Sequence, residues 1–336
     1  MLKLLQELII KSKRTYMIII RVTILLSLLF VPVRVWATTY VPEKTLIHNF
    51  TNSHNKAFYY SVEPYFRDSY NDFIKVLGKH KLPNINKYSF IIVRPDGIVN
   101  RIIDNLFKQL RNNDFEPMLL KEIRFNRFSL REMWRYNFNK SPIKRFALLD
   151  YFLPISDSMF VLVKDISTSN KESAASRLSK LKGSVNKSKR KDSDLRSLIH
   201  ADSGLFSFIH TPDDTADFIR EIGVLFTLQD RKEIAYIIKN KAKSNIDLNV
   251  IMKVYAKTPE LKLEYNKAII RITERLRLHI SPQRIQGILR EIQSKSFDIE
   301  QFFERYKNLD LDIWDIIIIS SKHTPEDISN VISLLE

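Results

Sequence analysis

Hydrophobic and polar positions change rhythm twice along the chain. Residues 16–33 are almost wholly apolar, interrupted by Arg21, and Val22 to Val33 is an uncharged run of twelve. From Tyr88 the rhythm is that of short strands alternating with amphipathic helices. Ser89 to Val93 is an apolar run ended by Pro95-Asp96-Gly97, which reads as a strand and a turn. Ile98, Ile102, Ile103, Leu106, Phe107 and Leu110 then fall at helical spacing. Phe115 to Phe125 predicts a second strand, and Ser129 caps a helix running to about Phe138. Met159 to Val163 predicts a third strand, Lys171 to Lys182 a helix and Leu205 to Ile209 a fourth strand. Thr211-Pro212-Asp213-Asp214 has the chemistry of a helix start that Ala216 to Leu225 continues. The order β-α-β-β-α-β predicts an α+β fold of ferredoxin-like layout, an antiparallel sheet covered by helices on one face.

Beyond Thr227 strand signals nearly vanish. About five helices are expected there, punctuated by Pro259, Pro282 and Pro325, with marked starts at Ser281-Pro282 and Thr324-Pro325-Glu326-Asp327. Residues 38–86 are mixed and aromatic-rich, and are expected to pack on the segment that follows. The predicted organisation is therefore a signal peptide or membrane anchor over 1–37, a leader segment over 38–86, an α+β domain over 87–226 and an all-α domain over 227–336.

The first segment has three readings. Lys3, Lys11, Lys13 and Arg14 precede the apolar stretch, whose longest run is short for a bilayer span of about 20 residues and suits a signal-peptide core. Val35-Trp36-Ala37 offers small residues at the two positions a signal peptidase inspects. The second reading is a retained anchor over residues 16–33 with Arg21 at the interface; the third is an ordinary buried helix. The first two imply export, secreted or periplasmic, or attachment to a membrane.

Composition removes several chemistries. There is no Cys among 336 residues, so thiolate metal sites, iron–sulfur clusters and cysteine nucleophiles are excluded. Six Gly, none in GxGxxG or GxxxxGK spacing, exclude dinucleotide fingerprints and P-loops. A net charge of +16 favours nucleotides, nucleic acid or acidic membrane as partners without choosing among them. The densest basic run, Lys187, Lys189, Arg190 and Lys191, reads either as an electrostatic guide for a polyanion or as a solvated loop. Arg271, Arg275, Arg277 and Arg284 are expected on the exposed side of an amphipathic bundle.

Four segments, in order, resemble nucleoside diphosphate kinases. Ile91-Ile92-Val93-Arg94-Pro95-Asp96-Gly97 is similar to that family's opening strand and V-K-P-D-G motif. Leu195-Arg196 falls where the family has Ile-Arg. Phe208-Ile209-His210-Thr211-Pro212-Asp213 resembles I-I-H-G-S-D, and Glu221-Ile222-Gly223-Val224-Leu225-Phe226 resembles E-I-G-L-W-F. The resemblance implies transfer of the γ-phosphate of an NTP to an NDP through a phosphohistidine at His210, with Mg²⁺. It also implies Glu221 as hydrogen-bond partner of the ring, and phosphate contacts from Arg94, Arg196 and Asp213. Independently of it, a histidine ending an apolar strand ahead of an acidic helix start places a nucleophile, neutral near pH 7, at a cleft edge.

The departures from the family are specific. Arg94 stands for its lysine, Trp134 for a tyrosine with Tyr136 two residues on, Ser207 for an asparagine and Pro212 for a serine. A threonine and an arginine expected near Gly183 have only Arg177, Lys180 and Ser184 nearby. The alternative is accordingly a catalytically degenerate relative serving as a nucleotide-binding or protein-interaction scaffold. The family's habit of assembling into homo-oligomers and a protein partner for the C-terminal helices complete the expectations.

Overall fold

The computed structural model describes residues 47–168, 172–202, 204–241, 244, 246–325 and 331–335, and its centre is a four-stranded antiparallel sheet. The chain divides into two units, 1–41 and 42–336; the first, with the expected signal or anchor, lies outside the described residues, as does the helix expected from Glu326. Among the described residues no helix is long and apolar enough to cross a membrane.

Strands β1 (Tyr88–Val93), β2 (Phe115–Ile123), β3 (Ser158–Asp165) and β4 (Ile209–His210) lie in the order β2-β3-β1-β4, with every pairing antiparallel. This is the predicted ferredoxin-like sheet. One expectation fails: all six residues of β1 are buried, so both faces of the central strand are covered rather than one. Phe90 packs at 4.9 Å from Phe160 of β3 and 6.0 Å from Phe218.

The single helix expected from Ile98 is two, α3 (Pro95–Val99) and α4 (Ile103–Asn112). The break falls at Arg101, whose φ of 57° is left-handed. Its guanidinium donates to the Thr258 carbonyl at 2.6 Å and lies 4.3 Å over the Tyr255 ring, so a contact distant in sequence overrides local periodicity. Helix α5 (Arg127–Met133) is capped by Asn126; Ser129 sits at its third position and closes the capping box instead of starting the helix. Helices α6 (Ile143–Phe152), α7 (Ala174–Lys182), α8 (Leu195–Leu198) and α9 (Thr215–Leu225) complete this part.

The leader folds as α1 (His54–Val62) and α2 (Pro64–Leu77). Phe66, Tyr70 and Phe73 of α2 are buried, and Phe73 meets Phe218 of α9 at 6.1 Å. Among the described residues six helices follow α9, where about five were expected: α10 (Leu228–Asn240), α11 (Leu248–Lys257), α12 (Tyr265–Leu276), α13 (Pro282–Gln293), α14 (Ile299–Arg305) and α15 (Ile313–Ser321). Ile316 to Ile319 of α15 are fully buried. Arg271, expected to be exposed, bonds the buried Asp315 at 2.7 Å, because a carboxylate in an apolar helix needs a cation.

Gly223 explains the glycine of the E-I-G segment. A Cβ there would collide with the Tyr65 carbonyl oxygen of α2 and lie 2.9 Å from its carbon. A backbone cannot yield as a flexible side chain does, so α2 and α9 would have to separate. Gly223→Ala is expected to lower the unfolding free energy by about 2–3 kcal/mol, read from the urea midpoint at unchanged slope. A midpoint equal to wild type would show that the helices do not approach this closely.

Candidate functional site

The turn after β1 builds the site's floor. Asp96 is fully buried, and a buried carboxylate requires compensation. Arg94 supplies it through Nη2 at 3.0 Å and Nε at 3.3 Å, and the Phe208 backbone N–H donates to the same carboxylate at 2.9 Å. In return the Arg94 backbone N–H donates to the Phe208 carbonyl at 2.9 Å. Phe208 is thereby fixed at φ 61°, a conformation costly for a residue with a side chain. The Ile209 N–H turns back to the Ser207 carbonyl at 2.7 Å, closing a tight γ-turn. This corrects the strand expected over 205–209: the turn at Phe208 confines β4 to Ile209 and His210. A side chain at Gly97 would press on the Phe208 carbonyl at 3.0 Å, so the glycine of R-P-D-G leaves room for the turn.

His210 pairs across the sheet with Ile92 and projects at the edge of a cavity of about 610 Å³. Its Nε2 lies 2.8 Å from Oε2 of Glu221, which sits on α9 and is buried. An ionised carboxylate oxygen can only accept, so it holds a proton on Nε2, and in the neutral ring that leaves the lone pair on Nδ1. Burial raises the Glu221 pKa, with His210 pulling the other way. The Trp134 indole, at the end of α5, stands edge-on to the imidazole with centroids 5.3 Å apart. It supplies packing where a tyrosine would supply a hydroxyl; Tyr136 also lines the cavity.

Arg94, Trp134, Arg196, Ser207, His210, Asp213 and Glu221, singled out from sequence, all line this one cavity. Their states differ. Arg94 is held by Asp96 and the Leu205 carbonyl and packs over Phe152 at 5.2 Å. Arg196 is buried and donates to three backbone carbonyls, Gly183 at 2.6 Å, Ile209 at 2.9 Å and Ser207 at 3.2 Å, so it clamps the segment leading into His210. Burial, then the nearby Arg94 and Arg190, lowers its pKa. Asp213 accepts from Ser179 at 2.6 Å and from Lys182 at 3.3 Å.

Of the candidates near Gly183, Arg177 is engaged by Asp165 at 2.8 Å and Lys180 by Glu172 at 2.6 Å; neither lines the cavity. Lys182 does, and sequence reading passed over it although it closes the helix before Gly183. Lys56 and Tyr60 of α1 also line the cavity and bond Asp217 at 2.6 and 2.7 Å. Arg220 forms another part of the wall, buried beneath Tyr60 and Tyr136. These residues belong to no motif, or come from the leader, so only tertiary structure brings them in. Arg190 of the basic run turns inward instead of facing solvent, donating to the Ser184, Val185, Ala201 and Asp202 carbonyls at 2.6–2.7 Å. Lys187 and Lys189 stay exposed.

A family model described as nucleoside diphosphate kinase matches residues 87–231. That stretch is a nucleoside diphosphate kinase-like domain. Among solved structures, the orthorhombic C222 form of the Aquifex aeolicus nucleoside diphosphate kinase is similar at 19% identity and a TM-score of 0.35, covering 42% of this chain and 95% of that one. No curated protein matches. Within the nucleoside diphosphate kinase-like domain, Arg196 ties both Gly183 and the Ser207–Ile209 turn to α8. Arg196→Met should therefore remove the only common donor of three carbonyls and lower the unfolding free energy by about 3 kcal/mol, measured by urea denaturation. A loss below about 0.5 kcal/mol would show that the clamp is not structural.

Proposed function

We propose that the nucleoside diphosphate kinase-like domain moves the γ-phosphate of a nucleoside triphosphate to a nucleoside diphosphate through His210. The observation that carries this reading is the His210–Glu221 contact of 2.8 Å at the edge of a cavity walled by lysines and arginines. In the first half-reaction Nδ1 attacks the γ-phosphorus. A P–N bond forms, the bond from phosphorus to the bridging oxygen breaks, and the diphosphate leaves with that electron pair. In the second, a terminal oxygen of another diphosphate attacks the same phosphorus and the P–N bond breaks. Glu221 keeps the proton on Nε2 and offsets the charge the ring acquires when Nδ1 bonds to phosphorus. Transfer of this kind depends on positioning and charge neutralisation, which a cationic cavity supplies.

Mg²⁺ enters in this reading as part of the nucleotide substrate. Among the described residues no group of three His, Asp or Glu could hold an ion, whereas Asp213 offers one carboxylate at the cavity. An ion bridging phosphate oxygens needs few protein ligands, so the donor set fits a metal carried by its nucleotide.

A second reading, nucleotide binding without transfer, is favoured by one observation. Arg94 and Arg196 give their donors to Asp96 and to backbone carbonyls. The two readings separate on incubation of the full chain with Mg²⁺ and γ-labelled ATP. The transferase acquires one acid-labile phosphate that is lost on adding a diphosphate, and His210→Ala abolishes it. Full exchange activity in that variant would overturn the assignment; binding of ATP with no phosphoprotein would establish the second reading.

Glu221 allows stability and chemistry to be separated. A carboxyl whose folded pKa is raised contributes stability that is present below its unfolded pKa and lost as pH rises through the folded value. At pH 8 the ionised, buried Glu221 therefore costs stability. Glu221→Gln is expected to be at least as stable as wild type at that pH, yet to form phosphohistidine about 10- to 100-fold more slowly because the ring loses its negative partner. Thermal unfolding and a phosphorylation time course check the two halves; an unchanged rate would remove Glu221 from the mechanism.

A further inference from the structure

The cavity's cations differ in how firmly the scaffold holds them. Arg94 is bound to a fully buried carboxylate, and withdrawing it would strand that charge in the interior. Arg196 is distributed over three backbone carbonyls, two of them from the buried Ser207 and Ile209. Arg220, itself buried, is 3.4 Å from Glu63 and donates to the Glu132 carbonyl at 2.8 Å. Lys56 lies between Asp214 at 3.0 Å and Asp217 at 2.6 Å, and Asp217 is buried. In each case a buried carboxylate or buried backbone carbonyls are among the partners, so leaving them for a ligand is costly.

Lys140 and Arg145 also line the cavity; Lys182 differs from the four above in that its carboxylate partner is exposed. Its Nζ is 3.3 Å from Asp213 and 3.2 Å from the Thr211 carbonyl, the residue that follows His210. The lysine side chain is only 12% exposed, whereas its carboxylate partner is 65% exposed. When Lys182 lets go, water solvates Asp213 at little cost. Asp213 also has Ser179 at 2.6 Å and is not left alone. Burial, with Arg196 adding to it, lowers the Lys182 pKa against the pull of Asp213. The compact ammonium on a flexible stem suits a move of this sort better than a planar fork would.

We infer that Lys182 is a phosphate-contacting cation of this site, exchanging Asp213 for a terminal phosphate oxygen of a polyphosphate held beside His210. The inference deepens the proposed function and rests on the same cavity. It gives the ligand's charged end a definite place, at the Thr211 side of the histidine. It also separates positions that resemble phosphate contacts in sequence from a residue free to make one. Arg94 and Arg196 then act through the scaffold, setting the potential and the backbone geometry while Lys182 touches the ligand.

The test uses equilibrium binding of inorganic tripolyphosphate, without metal, to the full chain by calorimetry, with phosphohistidine formation followed separately. Lys182→Gln is expected to weaken binding at least tenfold, about 1.4 kcal/mol. Lys182→Arg is expected to recover most of it. Asp213→Asn, which frees the lysine, is expected to bind as tightly as wild type or more tightly. A merely structural ion pair would instead make the Gln and Asn variants behave alike. Near-wild-type binding by Lys182→Gln, or no binding by the wild type, would overturn the inference. Lysine-dependent binding with no phosphohistidine would leave it standing and remove the transferase reading.

Discussion

A carboxylate with no access to water, Asp96, is the constraint on which the site depends. Ionised and buried, it must be met by cations and donors of fixed direction, and two arrive from opposite ends of the domain. Arg94 comes from the strand end two residues earlier. The Phe208 N–H comes from 112 residues later and is available only with the backbone in the left-handed region. The strain at Phe208 is therefore the price of compensating a charge. Its consequence is geometric: the chain turns sharply, β4 shrinks to two residues, and His210 emerges opposite Ile92 within reach of α9. Glu221 then meets the ring because α9 starts at a cap, Asp214, four residues past the histidine.

The same economy governs the cations. Arginine offers five donors in a rigid fork, so it satisfies several acceptors at once: Arg190, Arg196 and Arg220 each reach more than one carbonyl, and Arg94 reaches the Asp96 carboxylate and the Leu205 carbonyl. They hold loops lacking regular hydrogen bonding, such as 183–191 and 201–208. Arg94 and Arg220 are met by the carboxylates of Asp96 and Glu63, whereas Arg196 gives its donors to carbonyls, and a carbonyl leaves the positive charge in place. The wall thus acquires a positive potential as a by-product of being built.

The sequence made legible whatever is set by neighbours along the chain. The end of β1 at Val93 reads correctly because the apolar run and Pro95 act within a few residues, whereas Pro95-Asp96-Gly97, expected as a turn, opens α3 with the proline at its first position. The antiparallel order of strands follows from element order and short connections. What escaped was set across the chain. Arg101 breaks a helix by reaching Thr258, Phe208 ends a strand to reach Asp96, and Arg271 turns inward toward Asp315. None of these partners lies within 40 residues. The seven site residues read from motifs do converge, since motif spacing encodes strand ends and helix faces. Lys182, Lys56 and Tyr60 were invisible because a lysine or tyrosine at a helix surface has no periodic mark showing which neighbour it faces.

The cavity is also not closed by the matched stretch alone. Lys56 and Tyr60 belong to α1, and Ser333 and Leu335 approach from the far end of the chain, where Ser333 Oγ donates to the Tyr136 carbonyl at 3.1 Å and Ser53 Oγ to that of Leu335 at 3.0 Å. Residues 87–231 contribute the histidine, its carboxylate and the cations beside it, the groups that the proposed reaction directs at phosphate. Sequence outside that stretch supplies part of the opposite wall. Contacts that discriminate one ligand from another must differ between ligands, and phosphate does not. Under the proposed function, selectivity would therefore rest in part on α1 and residues 331–335, which line the cavity beside His210.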